Sequence, residues 1–143
     1  MASGSFNSGI HAVVTQALSW TALDYKVMLM QSTYTYDPDS DFRADIVANV
    51  CTAVGYADSA NLGGKTVTVD DANNRVYLDA TGPAAFGPIA SGQTISGAVV
   101  YYATGVDATA RLLAWLEFTT PIATNGGTIT IAFNAAGILR YQI

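Results

Sequence analysis

His11 and Cys51 are the side chains whose chemistry suits acid–base or nucleophilic catalysis near neutral pH. His11 is predicted to lie beside a short helix, which favours a surface or rim position, and no nucleophile-elbow pattern accompanies it. A Ser-His-Asp arrangement assembled from distant residues stays open. Cys51 lies among Val50, Thr52 and Val54, which predicts a buried small apolar side chain. One histidine and one cysteine exclude the common zinc clusters built from these residues within one chain.

The segment Asp37-Pro38-Asp39-Ser40-Asp41 has oxygen donors at alternating positions, as at the start of a calcium-binding loop. An EF-hand loop needs Gly at its sixth position and Glu at its twelfth, where this chain has Phe42 and Ala48. Helix capping and turn formation by Asp therefore explain the segment, and a calcium site of another type is the alternative.

The remaining acidic residues do not form the pattern of a glycosidase. Asp70, Asp71 and Asp79 are predicted to be solvated at the mouth of a hairpin. Glu117 is the only glutamate, and nothing in the spacing points to a second acid placed for a paired-carboxylate site.

The segment Gly63-Gly64-Lys65-Thr66 resembles the end of a phosphate-binding P-loop. Ala60 stands where the upstream glycine of that motif belongs, and the segment leads into a predicted strand rather than a helix. A phosphate site is therefore not predicted here.

Aromatic residues make up 10% of the chain and allow two interpretations. They could line a sugar-binding face, on which exposed Trp20 or Trp115 would stack, or they could lie at a protein interface, where tyrosine is enriched. The interface is the favoured interpretation. The tyrosines concerned are Tyr34, Tyr36, Tyr101 and Tyr102.

The composition is low in charge. Charged residues are 12% of the 143 residues, against about 25% in typical soluble domains. A neutral surface of this kind repels other copies weakly, which favours a surface that faces other protein subunits.

The net charge of −5 argues against nucleic acid as the main partner. No apolar run approaches the ~20 residues of a membrane span, and no basic segment of a secretory signal begins the chain.

Apolar residues at helical spacing near the N-terminus predict a helix of about three turns, capped by Ser8. The residues of its apolar face are Ile10, Val13, Val14, Ala17 and Leu18.

After this helix the apolar period changes to two, which predicts strands. Asp24–Gln31 is predicted to be buried on both faces over part of its length. The clearest signal is a hairpin around Asp71–Asn74. Its inward side chains are expected to be Val67, Val69, Val76, Leu78 and Ala80.

Further segments follow the same logic. The sequence predicts strands at Thr94–Ala103, Arg111–Thr120, Thr128–Phe133 and Ile138–Ile143, a loop at Thr81–Gly92, and a single helical turn around Asp39–Val47. About seven or eight short strands with Gly and Asn turns indicate an all-β fold, an antiparallel β-sandwich or jelly-roll-like barrel with a short N-terminal helix. Residues 1–143 are expected to form one domain, with residues 1–20 as an N-terminal arm and helix.

Several segments in this order resemble a family of small structural proteins of tailed-bacteriophage virions. The resemblance covers nearly the whole chain and is carried by Asp24–Met30, Tyr34–Phe42, Asp45-Ile46, Gly55-Tyr56, Val67–Val76, Gly97–Tyr101, Thr104-Gly105, Thr124–Gly127 and Asn134–Ile138.

The resemblance implies a virion component without catalysis, most simply a capsid decoration (cement) protein that binds the outer surface of the shell. Its expected partners are the major capsid protein or other virion proteins, and a homo-oligomer, with a trimer favoured. Its expected location is the capsid surface, after assembly in the host cytoplasm. No catalytic residue, cofactor or metal is expected. The alternatives are a tail, neck or head-fibre component, or a receptor- or carbohydrate-binding module of the particle. The docking surface is not specified by the sequence.

Overall fold

The computed structural model describes residues 3–82 and 84–142. Strands account for 42% of the chain and helices for 13%, so the predicted all-β class is confirmed. The described strands are β1 (Ser3–Ser5), β2 (Tyr25–Gln31), β3 (Gly63–Asp70), β4 (Arg75–Thr81), β5 (Ala84–Phe86), β6 (Thr94–Tyr102), β7 (Leu112–Ala123), β8 (Ile129–Ile131) and β9 (Leu139–Gln142). The helices are α1 (Asn7–Val14) and α2 (Arg43–Ile46), and single 3₁₀ turns lie at Val47–Asn49 and Asp71–Asn73.

The strands form three antiparallel sheets that pack as a sandwich. The largest has the order β1-β7-β6-β2, the second β3-β4-β9, and the third β5-β8. Every strand pair within them is antiparallel.

The four-stranded sheet is buried on both faces because its strands are apolar at consecutive positions. In β2, Val27 and Leu29 contribute to the main core, which includes residues of the other two sheets. Met28 and Met30 point the other way, into a second core that includes Phe6 and Ile46. This confirms the prediction that the strand over residues 24–31 is buried on two sides.

The N-terminal helix exists but differs from the prediction. It ends at Val14, whose side chain is 68% exposed, and Ala17 is exposed as well. Of the predicted apolar face, Ile10 and Val13 are partly buried against the main core and Leu18 is buried. The fully buried residues of the helix itself are Gly9 and Ala12. The reason is a close approach of α1 to β7, since a Cβ on Gly9 would lie 2.1 Å from the carbonyl oxygen of Leu112. Ser8 is not the cap: it lies inside the helix, and its Oγ is buried with no hydrogen-bond partner among the described residues.

The β3–β4 hairpin is confirmed, including its turn over residues 71–74. Asn74 takes the left-handed conformation there, with φ of 50°. Leu78 and Ala80 are buried as predicted. Val67 and Val69 are not: they are 53% and 65% exposed, because β3 is the edge strand and no described residue covers the apolar face there.

The other strand predictions hold with changed bounds. β7 continues through Pro121 to Ala123, two residues beyond the proline that was expected to end it, because residues up to 123 pair with the start of β6. The predicted loop at 81–92 contains β5, which pairs with β8 from much later in the chain. The last predicted segment is β9, and Ile143 lies outside the described residues.

Candidate interaction surface

The two side chains with catalytic chemistry lie in different surroundings. His11 is exposed on α1, as expected for a surface histidine. Cys51 is 3% exposed within the main core, and its amide donates to the carbonyl oxygen of Leu29 at 2.9 Å. The exposure and packing confirm the buried apolar interpretation of Cys51, and burial raises the pKa of its thiol.

The acidic segment at 37–41 makes local hydrogen bonds. Asp37 accepts the amide of Asp39 at 3.0 Å, and Asp39 accepts the Asn7 side-chain amide at 2.7 Å. Asp45 accepts the amides of Asp41 and Phe42 at 3.0 and 2.8 Å, which caps α2. Among residues 3–82 and 84–142, no group of three His, Cys, Asp or Glu side chains is placed to hold a metal ion.

The acids near the hairpin differ in their surroundings from one another. Asp70 was expected to be solvated, but it pairs with Arg75 at 2.7 Å and accepts the side-chain amide of Asn73 at 2.9 Å. These bonds lower the pKa of Asp70.

Glu117 is exposed on β7, opposite Gly97. The segment at 63–66 begins β3, as predicted, and Lys65 Nζ donates to the Leu62 carbonyl oxygen at 3.0 Å.

Both tryptophans are buried, so they cannot stack on a sugar at the surface as the carbohydrate interpretation required. Trp20 is 3% exposed, and its Nε1 donates to the carbonyl oxygen of Asp79 at 3.0 Å. Trp115 is 6% exposed and packs against Tyr34 and Tyr36. The hydroxyl of Tyr36 donates to Ser5 at 2.5 Å, so this aromatic cluster holds β1 against the sheet.

A polar cluster that was not predicted from the sequence is formed by Arg43, Tyr56, Asp58, Tyr101 and Asp107. Asp58 accepts the hydroxyls of Tyr56 and Tyr101, each at 2.6 Å, and pairs with Arg43 at 3.2 Å. Arg43 also pairs with Asp107 at 2.6 Å. Burial and the Asp58 carboxylate raise the pKa of both tyrosines, so both stay protonated at neutral pH. Nothing in the spacing of these residues predicts their meeting.

This polar cluster anchors a covering segment, residues 50–62, which closes the outer edge of β2. The amides of Cys51, Ser59 and Leu62 donate to β2 carbonyl oxygens at 2.8–2.9 Å. The Ser59 hydroxyl accepts the amide of Val27, and the Tyr56 hydroxyl accepts that of Leu29, each at 2.9 Å. An edge whose outward amides and carbonyls are bonded this way cannot accept another strand.

The edge of β3, unlike the edge of β2, is not closed by the covering segment. The face that β3, β4 and β9 turn toward the core carries two apolar rows across the strands. One runs Val67–Leu78–Leu139 and the other Val69–Val76–Tyr141. Leu78 and Leu139 are 2% and 7% exposed, whereas the two valines at the β3 end are more than half exposed. The core face of this sheet therefore reaches solvent at β3.

A groove of about 450 Å³ adjoins these rows. Residues 13–21 form its other wall, with Val13, Leu18 and Trp20 among its lining side chains. Val67 and Val76 line it from the hairpin. We name the edge of β3 together with this groove the β3 surface. Contiguous exposed apolar surface at a sheet edge makes the β3 surface a candidate site of protein contact.

Comparisons with protein-family models, with curated proteins and with solved structures found no match. Within the described residues, no helix is long and apolar enough to cross a membrane.

Proposed function

We propose that this chain is a non-enzymatic structural component of a tailed-phage virion, and in particular a capsid decoration protein. The observation that carries the proposal is the β3 surface, where an apolar sheet face ends uncovered while the edge of β2 is closed. A protein that is built to pack against other proteins needs such a surface. The resemblance of the sequence to small phage virion proteins supplies the kind of particle.

The polar cluster supports a non-catalytic role. Both carboxylate oxygens of Asp58 are bonded to protein donors, and the Tyr56 hydroxyl also accepts a backbone amide. Groups held in this way fix the position of the covering segment, and a reacting substrate would first have to displace them.

The low charge of the chain is consistent with repeated contacts on a shell. Each contact would be stabilised by burial of apolar surface, at roughly 25 cal/mol per Å² before the cost of association. Many modest contacts on a repeating lattice add through multivalency. The expected partners are the major capsid protein and neighbouring copies of this chain.

Quantitative mass spectrometry of purified virus particles tests the proposal. A decoration protein is expected at on the order of hundreds of copies per particle, since it occupies repeated positions on the shell. A handful of copies would instead place the chain in the tail or neck, and its absence from the particles would overturn the proposal. As a second test, the chain should bind purified heads from which it has been stripped.

A further inference from the structure

We infer that a groove beside α1 binds a carboxylate side chain of another protein, and that the guanidinium of Arg111 is the group that holds it. We name this site the Arg111 groove; it has a volume of about 510 Å³ and is lined in part by α1, the turn after α1 and the row Phe42–Arg111–Tyr102. The inference rests on the proposed function only in taking the partner to be a protein of the particle. It adds a second contact surface, which shares only Leu18 with the lining of the β3 surface groove.

The backbone places Phe42, Arg111 and Tyr102 side by side. Phe42 and Arg111 form an isolated antiparallel bridge. On the other side, the amide of Tyr102 donates to the carbonyl oxygen of Arg111 at 2.9 Å, next to the pair of Tyr101 and Leu112. Opposite residues of antiparallel segments project their side chains to the same face. The arginine is therefore flanked by two aromatic side chains on one face, and all three line the groove.

The Arg111 guanidinium is held in position but not neutralised. Its central carbon lies 4.6 Å from the centre of the Phe42 ring, which is a cation–π contact. Among residues 3–82 and 84–142 the guanidinium has no ion pair and donates no hydrogen bond, whereas Arg43 and Arg75 are both paired with aspartates. A guanidinium that rests on a ring keeps its N–H groups available for a bidentate carboxylate. Because the ring already restrains the side chain, less entropy is lost when a carboxylate binds.

The groove is positively charged in a chain that is acidic as a whole. The chain has eleven acidic and six basic residues, yet the lining contains Arg111 and His11 and no acid. Asp41 and Asp107 are close to the lining segments in the sequence, but neither lines the groove, and Asp107 is paired with Arg43. A surface of this sign complements a negatively charged group of a partner. The counter-charge of Arg111 is therefore supplied by a bound carboxylate.

The rest of the lining suits the carbon chain of an amino-acid side chain. Ala12 and Leu18 supply an apolar wall, and Phe42 and Tyr102 line the same space. The Tyr102 hydroxyl makes no hydrogen bond with a described residue, which makes it a second donor for the carboxylate. A groove of about 510 Å³ holds more than a lone ion, so it has room for methylene groups and adjoining backbone. The occupant is thus an aspartate or a glutamate on a protein surface.

The carboxylate comes from a different protein of the particle rather than from a second copy of this chain. Under the proposed function, this chain must bind the protein that forms the shell. Electrostatic attraction does not draw together two copies that each carry a net charge of −5. An acidic residue of the shell protein is therefore the occupant of the Arg111 groove.

NMR titration of the whole chain with N-acetylglutamate N-methylamide tests the site directly. The amide signals of residues that line the groove should shift, with a dissociation constant on the order of 10 mM or below. The corresponding glutamine compound has nearly the same shape and no charge, and it should not shift these signals. Equal shifts with the two compounds would overturn the inference.

Two matched variants show whether Arg111 is the group that binds. Arg111→Gln should weaken binding of the glutamate compound at least about tenfold, because it removes the charge and the bidentate donor. Arg140→Gln is the control, since Arg140 is exposed on β9, has no ion pair among the described residues and does not line the groove. Circular dichroism checks that both variants are folded. Equal weakening in both, or none in Arg111→Gln, would contradict the site.

A carbodiimide cross-link on the particle identifies the partner. Arg111→Lys puts an amine in the groove; the carbodiimide activates the partner's carboxylate, the amine attacks the activated carbon to form an amide, and a urea leaves. Mass spectrometry should find position 111 joined to an acidic residue of the shell protein. Arg140→Lys, treated in the same way, should give no link to that residue. A link from position 111 to a second copy of this chain, or no link there, would overturn the inference.

These measurements separate the inference from the proposed function. The titration needs no particle, so its failure would overturn the Arg111 groove and leave the proposed function standing. Absence of the chain from purified particles would overturn the proposed function, whatever the titration shows.

Discussion

The hydroxyl of Tyr101 lies 2.6 Å from Asp58, a residue 43 positions earlier in the chain. Tyr101 is on β6 in the middle of the four-stranded sheet, and Asp58 is on the covering segment. The bond therefore connects the sheet to the piece of chain that closes its edge. Arg43 and Tyr56 bind the same carboxylate and strengthen the connection.

Replacement of the carboxylate should be costly. Asp58→Ala would leave two tyrosine hydroxyls without their acceptor and the partly buried Arg43 with Asp107 as its remaining partner, and we expect the free energy of unfolding to fall by about 3 kcal/mol. Asp107→Ala, which removes the half-exposed partner of the same arginine, should cost about 1 kcal/mol or less. Urea denaturation monitored by tryptophan fluorescence measures both. Equal losses would show that Asp58 is not the centre of the cluster.

Gly97 should not tolerate a side chain. A Cβ at this position would lie 2.3 Å from the Trp115 ring and 2.5 Å from the Leu116 carbonyl oxygen. Gly97→Ala is therefore expected to destabilise the protein by about 1–3 kcal/mol through overpacking. Gly63→Ala is the matched control, because a Cβ there would meet nothing within 4 Å. Thermal denaturation compares the two, and an unchanged midpoint for Gly97→Ala would contradict the packing described.

Stability should decline in alkali because of the buried tyrosines. Burial raises the pKa of Tyr25 and of Tyr34 to about 12, whereas an unfolded tyrosine has a pKa of about 10. The folded state therefore holds these protons more tightly. The stabilisation is complete below about pH 10 and is lost as the pH rises toward 12.

The measurement is the free energy of unfolding in urea from about pH 8 to about pH 12, alongside the ultraviolet absorbance of tyrosinate. Tyr34→Phe should have a shallower decline than the wild type, since it lacks one of the linked protons. A decline of the same steepness in the variant would show that Tyr34 ionises normally in the folded protein.

The thiol of Cys51 should be almost inert in the folded protein. It is 3% exposed, and burial raises its pKa, so little reactive thiolate is available. Ellman's reagent is expected to react with it at least about a hundredfold more slowly in buffer than in denaturant. Cys51→Ala with Thr52→Cys gives the control, because Thr52 is exposed and its thiol should react at once. Fast labelling of the native wild type would contradict the buried assignment.

The strands were predictable where their signals are local. Alternation and an Asn-containing turn defined β3 and β4, and the apolar run over residues 98–102 identified a strand with two covered faces. Alternation also assigned Val67 and Val69 correctly to the same face as Leu78. It could not show that this face ends uncovered at β3, because coverage depends on the order of strands in the sheet.

The errors arose where distant residues decide local structure. α1 lies so close to β7 at Gly9 that a side chain would not fit there, and Ile10 and Val13 are only partly buried against the main core. β5 is only three residues long, and these residues form a strand because they pair with β8. The polar cluster joins α2, the covering segment and two parts of the chain beyond residue 100, and no spacing in the sequence relates them.

The pairing of β1 with β7 has a consequence for how the chain reaches its native state. Ser3 lies opposite Leu116, nearly the whole length of the chain away, and β2 likewise needs β6 from the second half. Contacts this distant in sequence make folding slow, whereas the β3–β4 hairpin can close within microseconds. During synthesis the hairpin is expected to form first, and the N-terminal strand to join the sheet only after β7 has been synthesised.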